Sequence, residues 1–293
     1  MGFGKCIYIL VINVLCSSLA WKFPAFKPPW TTHYTTGIVS SNLDVVHFRS
    51  PLLSKLQSRN DTFVEKAAIF SLGLLLSQIT VNPSISRKEL GFDYSNFVTI
   101  SKLLLLERSP DEIKTVIVNL LVKILPRQIR DAFRSKYQED PRWVCESSVQ
   151  WFGFGFLEWL IGPTDPVVST MFSSKNNQSE EWVSTVKLLE CRYLVQSGCK
   201  ASCLHLCKTP TQTLFAEEMG VPLYMKPNFT DYSCEFMFGV VAPPKDQDEA
   251  FTESCFSQCT ISRIAPFSSP RKELDVKIRA SNSTYLAKCT HLY

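Results

Sequence analysis

Hydrophobic positions in the first half of the mature chain follow a helical period. Thr62-x-x-Glu65 forms a capping box ahead of FVEKAAIFSLGLLLSQI, which predicts a helix from about Phe63 to Ile79 with apolar residues on most sides. Asn82-Pro83 ends it. Tyr94 to Arg108 (YSNFVTISKLLLLER) reads as a second helix. Ser109-Pro110 then caps a third, Asp111 to Leu125, with acids in its first turn and Pro126 as its stop. Trp151 to Ile161 (WFGFGFLEWLI) places Phe152, Phe156 and Trp159 on one helical face, with Glu158 the only charge. It reads as a core helix; the sharper alternatives are the wall of an apolar groove or a face resting in membrane lipid.

The pattern then changes. Lys175 to Ser179 is polar and marks a soft boundary between a helical subdomain (44–174) and a cysteine-rich one (180–263), with a tail over 264–293. Glu180 to Gln196 reads as a helix interrupted by Ser197-Gly198. Thr209-Pro210 reads as an N-cap with proline at the first helical position, opening a short helix that ends at Gly220. Val221 to Val241 carries extended signals and predicts a small hairpin. Pro243-Pro244 begins a loop, and Asp246 to Cys259 predicts a last helix. The expected fold is mainly α with a small β element in the cysteine-rich part (α+β).

Composition narrows this picture only slightly. The 293 residues, 45% apolar and 20% charged, suffice for one large core or two smaller ones. A net charge of +4 without a Lys/Arg-rich run gives no footprint of a nucleic-acid surface. No run of 18 apolar residues exists, so a spanning helix is not expected. Lys5, the apolar run Cys6 to Cys16 and the small-x-small site Ser18-Leu19-Ala20 read as a signal peptide over 1–20. Residues 21–43 follow as a basic, hydroxylated segment that holds no acid, with transit-peptide composition. A signal followed by a transit-like segment resembles the bipartite leader of algae with complex plastids, where import begins at the ER. An ordinary signal peptide followed by a linker is the plainer alternative.

Cysteine placement is the strongest chemical signal. Seven cysteines lie between 191 and 259: Cys191, Cys199, Cys203, Cys207, Cys234, Cys255 and Cys259. Cys199, Cys203 and Cys207 are four residues apart. On an α-helix each such step turns the side chain by only about 40°, so the three thiols share one face. Cys255-x-x-x-Cys259 repeats the device. Three readings stand side by side: thiolates holding iron or an iron–sulfur cluster, a structural zinc site, or disulfides in an oxidising compartment. Four glycosylation triplets, at Asn60, Asn177, Asn228 and Asn282, keep the last reading open. The expected metal ligands are Cys199, Cys203, Cys207, Cys234, Cys255 and Cys259. His205, two residues from both Cys203 and Cys207, falls on the opposite side of such a helix and is not expected to be a ligand.

The stretch Cys191 to Gly239 closely resembles the plant β-carotene isomerases at the head of strigolactone biosynthesis, the dwarf-twenty-seven type. The motifs are Cys191-Arg192-Tyr193-Leu194, the C-x3-C-x3-C-K-x-P-T-Q string ending at Gln212, and Met225-x-Pro227-Asn228-Phe229-x-Asp231-x-Ser233-Cys234. Pro243-Pro244, Cys255-x3-Cys259, Tyr94-x-x-Phe97-Val98 and Trp159-Leu160-x-Gly162-Pro163 also fit, so the resemblance covers roughly Asp44 to Arg263. It implies an iron-dependent plastid enzyme, with non-haem iron or an iron–sulfur cluster. That enzyme isomerises all-trans-β-carotene to its 9-cis form, or acts on a related carotenoid, without net redox change. Three routes to bond rotation stand open: one-electron exchange between a redox-active metal and the polyene, protonation by a carboxylic acid (Asp231, Glu235 or Glu158), and addition and release of a cysteine thiyl. The competing functions are a non-catalytic iron–sulfur or electron-transfer protein and a secreted disulfide-rich binding protein.

Overall fold

Thr62 starts the first helix in the way its capping box dictates. In the computed structural model, its backbone N–H donates to Glu65 at 2.7 Å while its hydroxyl accepts the Glu65 N–H at 3.3 Å. Residues 59–81, 87–153, 157–173, 178–256 and 259 are described. The leader and tail readings therefore lie outside them, as do Asn82-Pro83 and Phe156.

Helix α1 (Phe63–Ser77) buries Ile69 and Leu76 but leaves Phe63 and Val64 in solvent. It packs against α2 (Tyr94–Glu107), whose Ile100, Leu104 and Leu105 are fully buried. Helix α3 (Pro110–Ile124) begins with the second capping box, Ser109 with Glu112. Two further helices follow, α4 (Arg127–Glu139) and α5 (Pro141–Gly153). Helix α4 buries no residue fully and is held by charge: Arg130 bonds Glu218, and Arg134 reaches the carbonyls of Glu217 and Glu218.

Two sequence expectations change in the middle of the chain. The aromatic segment 151–161 is not one helix: α5 ends at Gly153, and a short α6 (Glu158–Ile161) follows. Phe152 is buried in the core, while Trp159 is half-buried against it. The stretch 180–196 is not one helix either. It contains most of strand β2 (Gln178–Leu188), then α7 (Arg192–Ser197). Trp182, Ser184, Val186 and Leu188 are buried at every second position, and β-branched Val183 and Thr185 lie between them; that is a strand's period. The preceding strand β1 (Thr164–Ser173) pairs with β2 as an antiparallel hairpin, so Gln178 and Ser179 belong to one sheet rather than to a linker. The described residues all fall in one compact unit.

The sheet has strand order β1-β2-β4-β3 and is antiparallel throughout, with β3 (Leu223–Pro227) and β4 (Cys234–Phe238) forming the expected hairpin. Helix α5 covers it. Phe152 meets Phe236 and Phe238 at ring separations of 5.6 and 5.5 Å, and Phe215 meets Phe238 edge-to-face at 5.4 Å.

Between α7 and β3 runs a helical stretch of alternating width: π1 (Ser202–Lys208), α8 (Thr209–Thr213) and π2 (Leu214–Glu218). Thr209 is therefore no N-cap. Its N–H reaches back five residues to Leu204 O. The wide turn ahead of Pro210 relieves the clash its ring makes in an ordinary helix, and the missing proline N–H falls where bonding is already irregular. Gly220, at φ +68°, ends the run. The last helix predicted over 246–259 shrinks to α9 (Glu249–Thr252), and Cys255 lies in irregular chain.

Candidate active site: a buried cluster of thiols and phenols

Cys191 caps α7. Its N–H donates to Tyr232 O at 2.7 Å, and its sulfur accepts the Leu194 N–H at 3.3 Å. Arg192, next in the chain, is almost fully buried. It is gripped by both carboxylate oxygens of Asp61 at 2.7 Å, donates to Trp159 O at 2.6 Å and stacks 3.9 Å over the Tyr94 ring. Tyr193 shares a 2.8 Å hydrogen bond with Ser101. Tyr94, Phe97 and Tyr193 form a chain of rings at 5.4 and 5.7 Å. The Cys-Arg-Tyr-Leu motif thus knits the short α7 to the helical half.

Four thiols gather here. Cys203 and Cys207 lie on π1, Cys234 opens β4, and Cys191 lies between. Burial pushes the Cys203 and Cys234 thiols well up, and their neighbours add to the effect, Cys207 and Cys191 first respectively; Lys208 opposes it. Burial likewise raises Cys207 to about 12 and Cys191 to about 11. The Tyr94 and Tyr193 phenols are raised too, again mainly by burial. At neutral pH this cluster is therefore a set of uncharged S–H and O–H groups.

The expected ligand set separates. Cys203, Cys207 and Cys234 come together, joined by Cys191, which was not among the expected ligands. Cys199 lies ahead of π1 and hydrogen-bonds the Cys259 thiol, which raises its pKa. Cys255 is disulfide-bonded. The other seven described cysteines are thiols rather than disulfides. Among the described residues, no three His, Cys, Asp or Glu groups are arranged to hold a metal ion. His205 is buried.

The rest of the motif is architectural. Lys208 donates to Met225 O, lies 2.6 Å from Asp248 and sits 4.6 Å over the Tyr224 ring. Gln212 accepts the Met225 N–H at 2.8 Å. Lys208 and Gln212 thereby satisfy the open edge of β3. Asp231 is exposed and accepts the Ser233 N–H at 2.8 Å within a turn where Tyr232 adopts φ +63°. Glu235 stands in register opposite Lys187 and Lys226 on the neighbouring strands. Glu158 is half-buried at the start of α6.

Sequence reasoning missed Glu190. It is 2% exposed, and neither carboxylate oxygen has a hydrogen-bond partner. Burial raises its pKa, and once ionised it would raise that of neighbouring Cys191. The only signal was an acid between Leu189 and Cys191, which a helix over 180–196 placed without constraint.

A family model described as β-carotene isomerase D27-like, C-terminal, matches residues 159–247, the span that builds most of this cluster. The chloroplastic β-carotene isomerase D27 of Medicago truncatula is 27% identical over 239 residues, covering 82% of this chain and 88% of that protein. Its Arabidopsis thaliana counterpart is 29% identical over 206 residues, covering 70% and 74%. No solved structure gives a significant match. The chain thus carries a match to the β-carotene isomerase D27-like C-terminal domain and resembles chloroplastic β-carotene isomerases along most of its length.

Proposed function

We propose that this chain is a plastid isomerase that interconverts the trans and cis forms of a carotenoid, all-trans-β-carotene and its 9-cis isomer or a close relative. The carrying observation is the alignment, along 82% of the chain, with a chloroplastic β-carotene isomerase. The site chemistry is consistent with this. A polyene is a long apolar body, and the cluster offers uncharged groups packed among aromatic rings. Isomerisation needs no net electron transfer, only the transient loss of one double bond.

A carotenoid resides in lipid, so the reading includes a peripheral membrane contact. Phe63, Val64 and Phe92 are 84%, 63% and 54% exposed, and Phe92 stacks on Phe70 of α1 at 4.7 Å. Such an apolar patch suits the boundary of a bilayer. Among the described residues, no helix is long and apolar enough to cross one. The leader read over residues 1–43 supplies the route to the plastid through the ER; a fusion of those residues to a fluorescent protein that stayed outside the plastid would remove that part.

The central test is incubation of the full chain, purified without oxygen, with all-trans-β-carotene in detergent micelles, followed by chromatography of the isomers. The 9-cis form should grow, and 9-cis substrate should return to the same final ratio. Unchanged isomer ratios across hydrocarbon and hydroxylated carotenoids would sink the reading.

A further inference from the structure

The isomerase reading leaves the chemistry of bond rotation unassigned. The double bond must become single for long enough to turn. A protein can achieve this without any co-reactant by lending a proton and taking it back. The donor must be buried beside the substrate, must keep its proton at neutral pH, and must be acidic enough to release it.

The buried groups around the cluster divide clearly on these criteria. The thiols and phenols keep their protons, but burial makes them still weaker acids than usual. Asp248 is paired with Lys208 at 2.6 Å, and Asp61 with Arg192 at 2.7 Å, so each acid is already engaged by a buried cation. Asp231 is exposed, and its Oδ1 accepts the Ser233 N–H. Glu190 differs from all of these: it is 2% exposed, and both its oxygens lack a partner. A carboxyl group so placed favours its neutral form, because ionisation would leave an unpaired buried charge. Its backbone is fixed on both sides. Leu189 N–H donates to Pro163 O at 3.0 Å, and Cys191 N–H to Tyr232 O at 2.7 Å. Its own carbonyl lies against Gly162, where an added Cβ would come within 2.4 Å.

Resting on the isomerase reading, we propose that Glu190 is the catalytic acid that protonates the polyene. The carboxyl O–H bond breaks, and the π electrons of the reacting double bond form a C–H bond at one of its carbons. The positive charge spreads along the remaining conjugated chain, and the former double bond turns freely. The Glu190 carboxylate then removes the same proton, the double bond re-forms in the other geometry, and the acid is restored. No electron, oxidant or co-substrate is consumed.

The test uses the full chain and three variants. Glu190→Gln keeps the shape and removes the transferable proton; it should lower the isomerisation rate by roughly a hundredfold or more. Glu190→Asp should retain part of the rate, and the wild-type rate should fall as pH rises and the acid ionises. Infrared difference spectroscopy of wild type against Glu190→Gln should show a protonated carboxyl band at pH 7, a readout independent of activity. Glu253→Gln, on an exposed acid that bonds Lys200, serves as a control and should leave the rate unchanged. An active wild type matched by Glu190→Gln overturns the role of Glu190 and spares the isomerase reading, as does a missing infrared band. A wild type inert toward every carotenoid, with the band present, overturns the isomerase reading and this step with it.

Discussion

Lys208 Nζ lies 2.6 Å from Asp248 Oδ2, with the two side chains 1% and 3% exposed. The pair ties the π1 turn to the segment leading into α9, and Lys208 also bonds the β3 backbone. A buried pair of this kind adds little net stability against an apolar substitute, but breaking one half leaves a stranded charge. Lys208→Met should therefore cost about 3–5 kcal/mol in urea unfolding, and Lys208→Met with Asp248→Asn should recover most of it. Equal losses in the single and double variants would show that the pair is not coupled as the geometry implies.

Gly162 makes a second, sharper prediction. Its φ is +103°, and a Cβ there would lie 2.4 Å from Glu190 O, a backbone atom that cannot swing away. Gly162→Ala should lower stability by about 2 kcal/mol or more, from backbone strain and the clash together. It should also lower isomerisation in protein that remains folded, because Glu190 is displaced. Calorimetry and the isomer assay on the same preparation check both halves.

The helical half was legible because its signals are local. The two capping boxes, Thr62/Glu65 and Ser109/Glu112, work through bonds three residues apart, and the hairpin of β3 and β4 announced itself by extended patterning. Helix α4 was less visible because it is anchored by charge through Arg130 and Arg134 and has no fully buried stripe. Strand β2 was misread because Glu180, Glu181 and Lys187 lend it a helical look; only pairing with β1 and β4 reveals the alternation. The cysteine spacing was half informative. A π turn holds about 4.4 residues, so four residues still return Cys207 close to the face of Cys203. Cys199 lies ahead of that turn and meets Cys259 instead, a partner sixty residues away that no spacing rule finds. Glu190 was invisible for the same reason: its isolation is a property of the packed fold, not of its neighbours in sequence.

The protonation state of the thiols is open to a direct chemical check. With Cys191 raised to about 11 and Cys207 to about 12, the reactive thiolate is scarce at pH 8. Alkylation of both by iodoacetamide in the native protein should run roughly a hundredfold or more slower than in the unfolded chain. Mass mapping of the peptides resolves each site. Fast native labelling of Cys191 would mean that its thiol is exposed or ionised, and would undo the picture of an uncharged cluster.

The last prediction concerns the stability that Glu190 forfeits. Burial raises its folded-state pKa above the ordinary value of 4.5, so the folded protein holds its proton to higher pH than the unfolded chain does. At low pH both states are protonated, and the group makes no difference between them. As pH climbs past the ordinary glutamate value, the unfolded chain ionises first and is favoured by solvation, so folding stability falls. The loss continues until the folded-state pKa is reached and then levels off, at about 1.4 kcal/mol for every tenfold difference in acid strength between the folded and unfolded chain. Glu190→Gln removes this dependence. The variant should gain on wild type as pH rises from 4 to 7, even while it loses the proton donor. Urea unfolding of the two proteins across that range measures the difference; a constant gap would mean that Glu190 ionises in the folded state as readily as in the unfolded one.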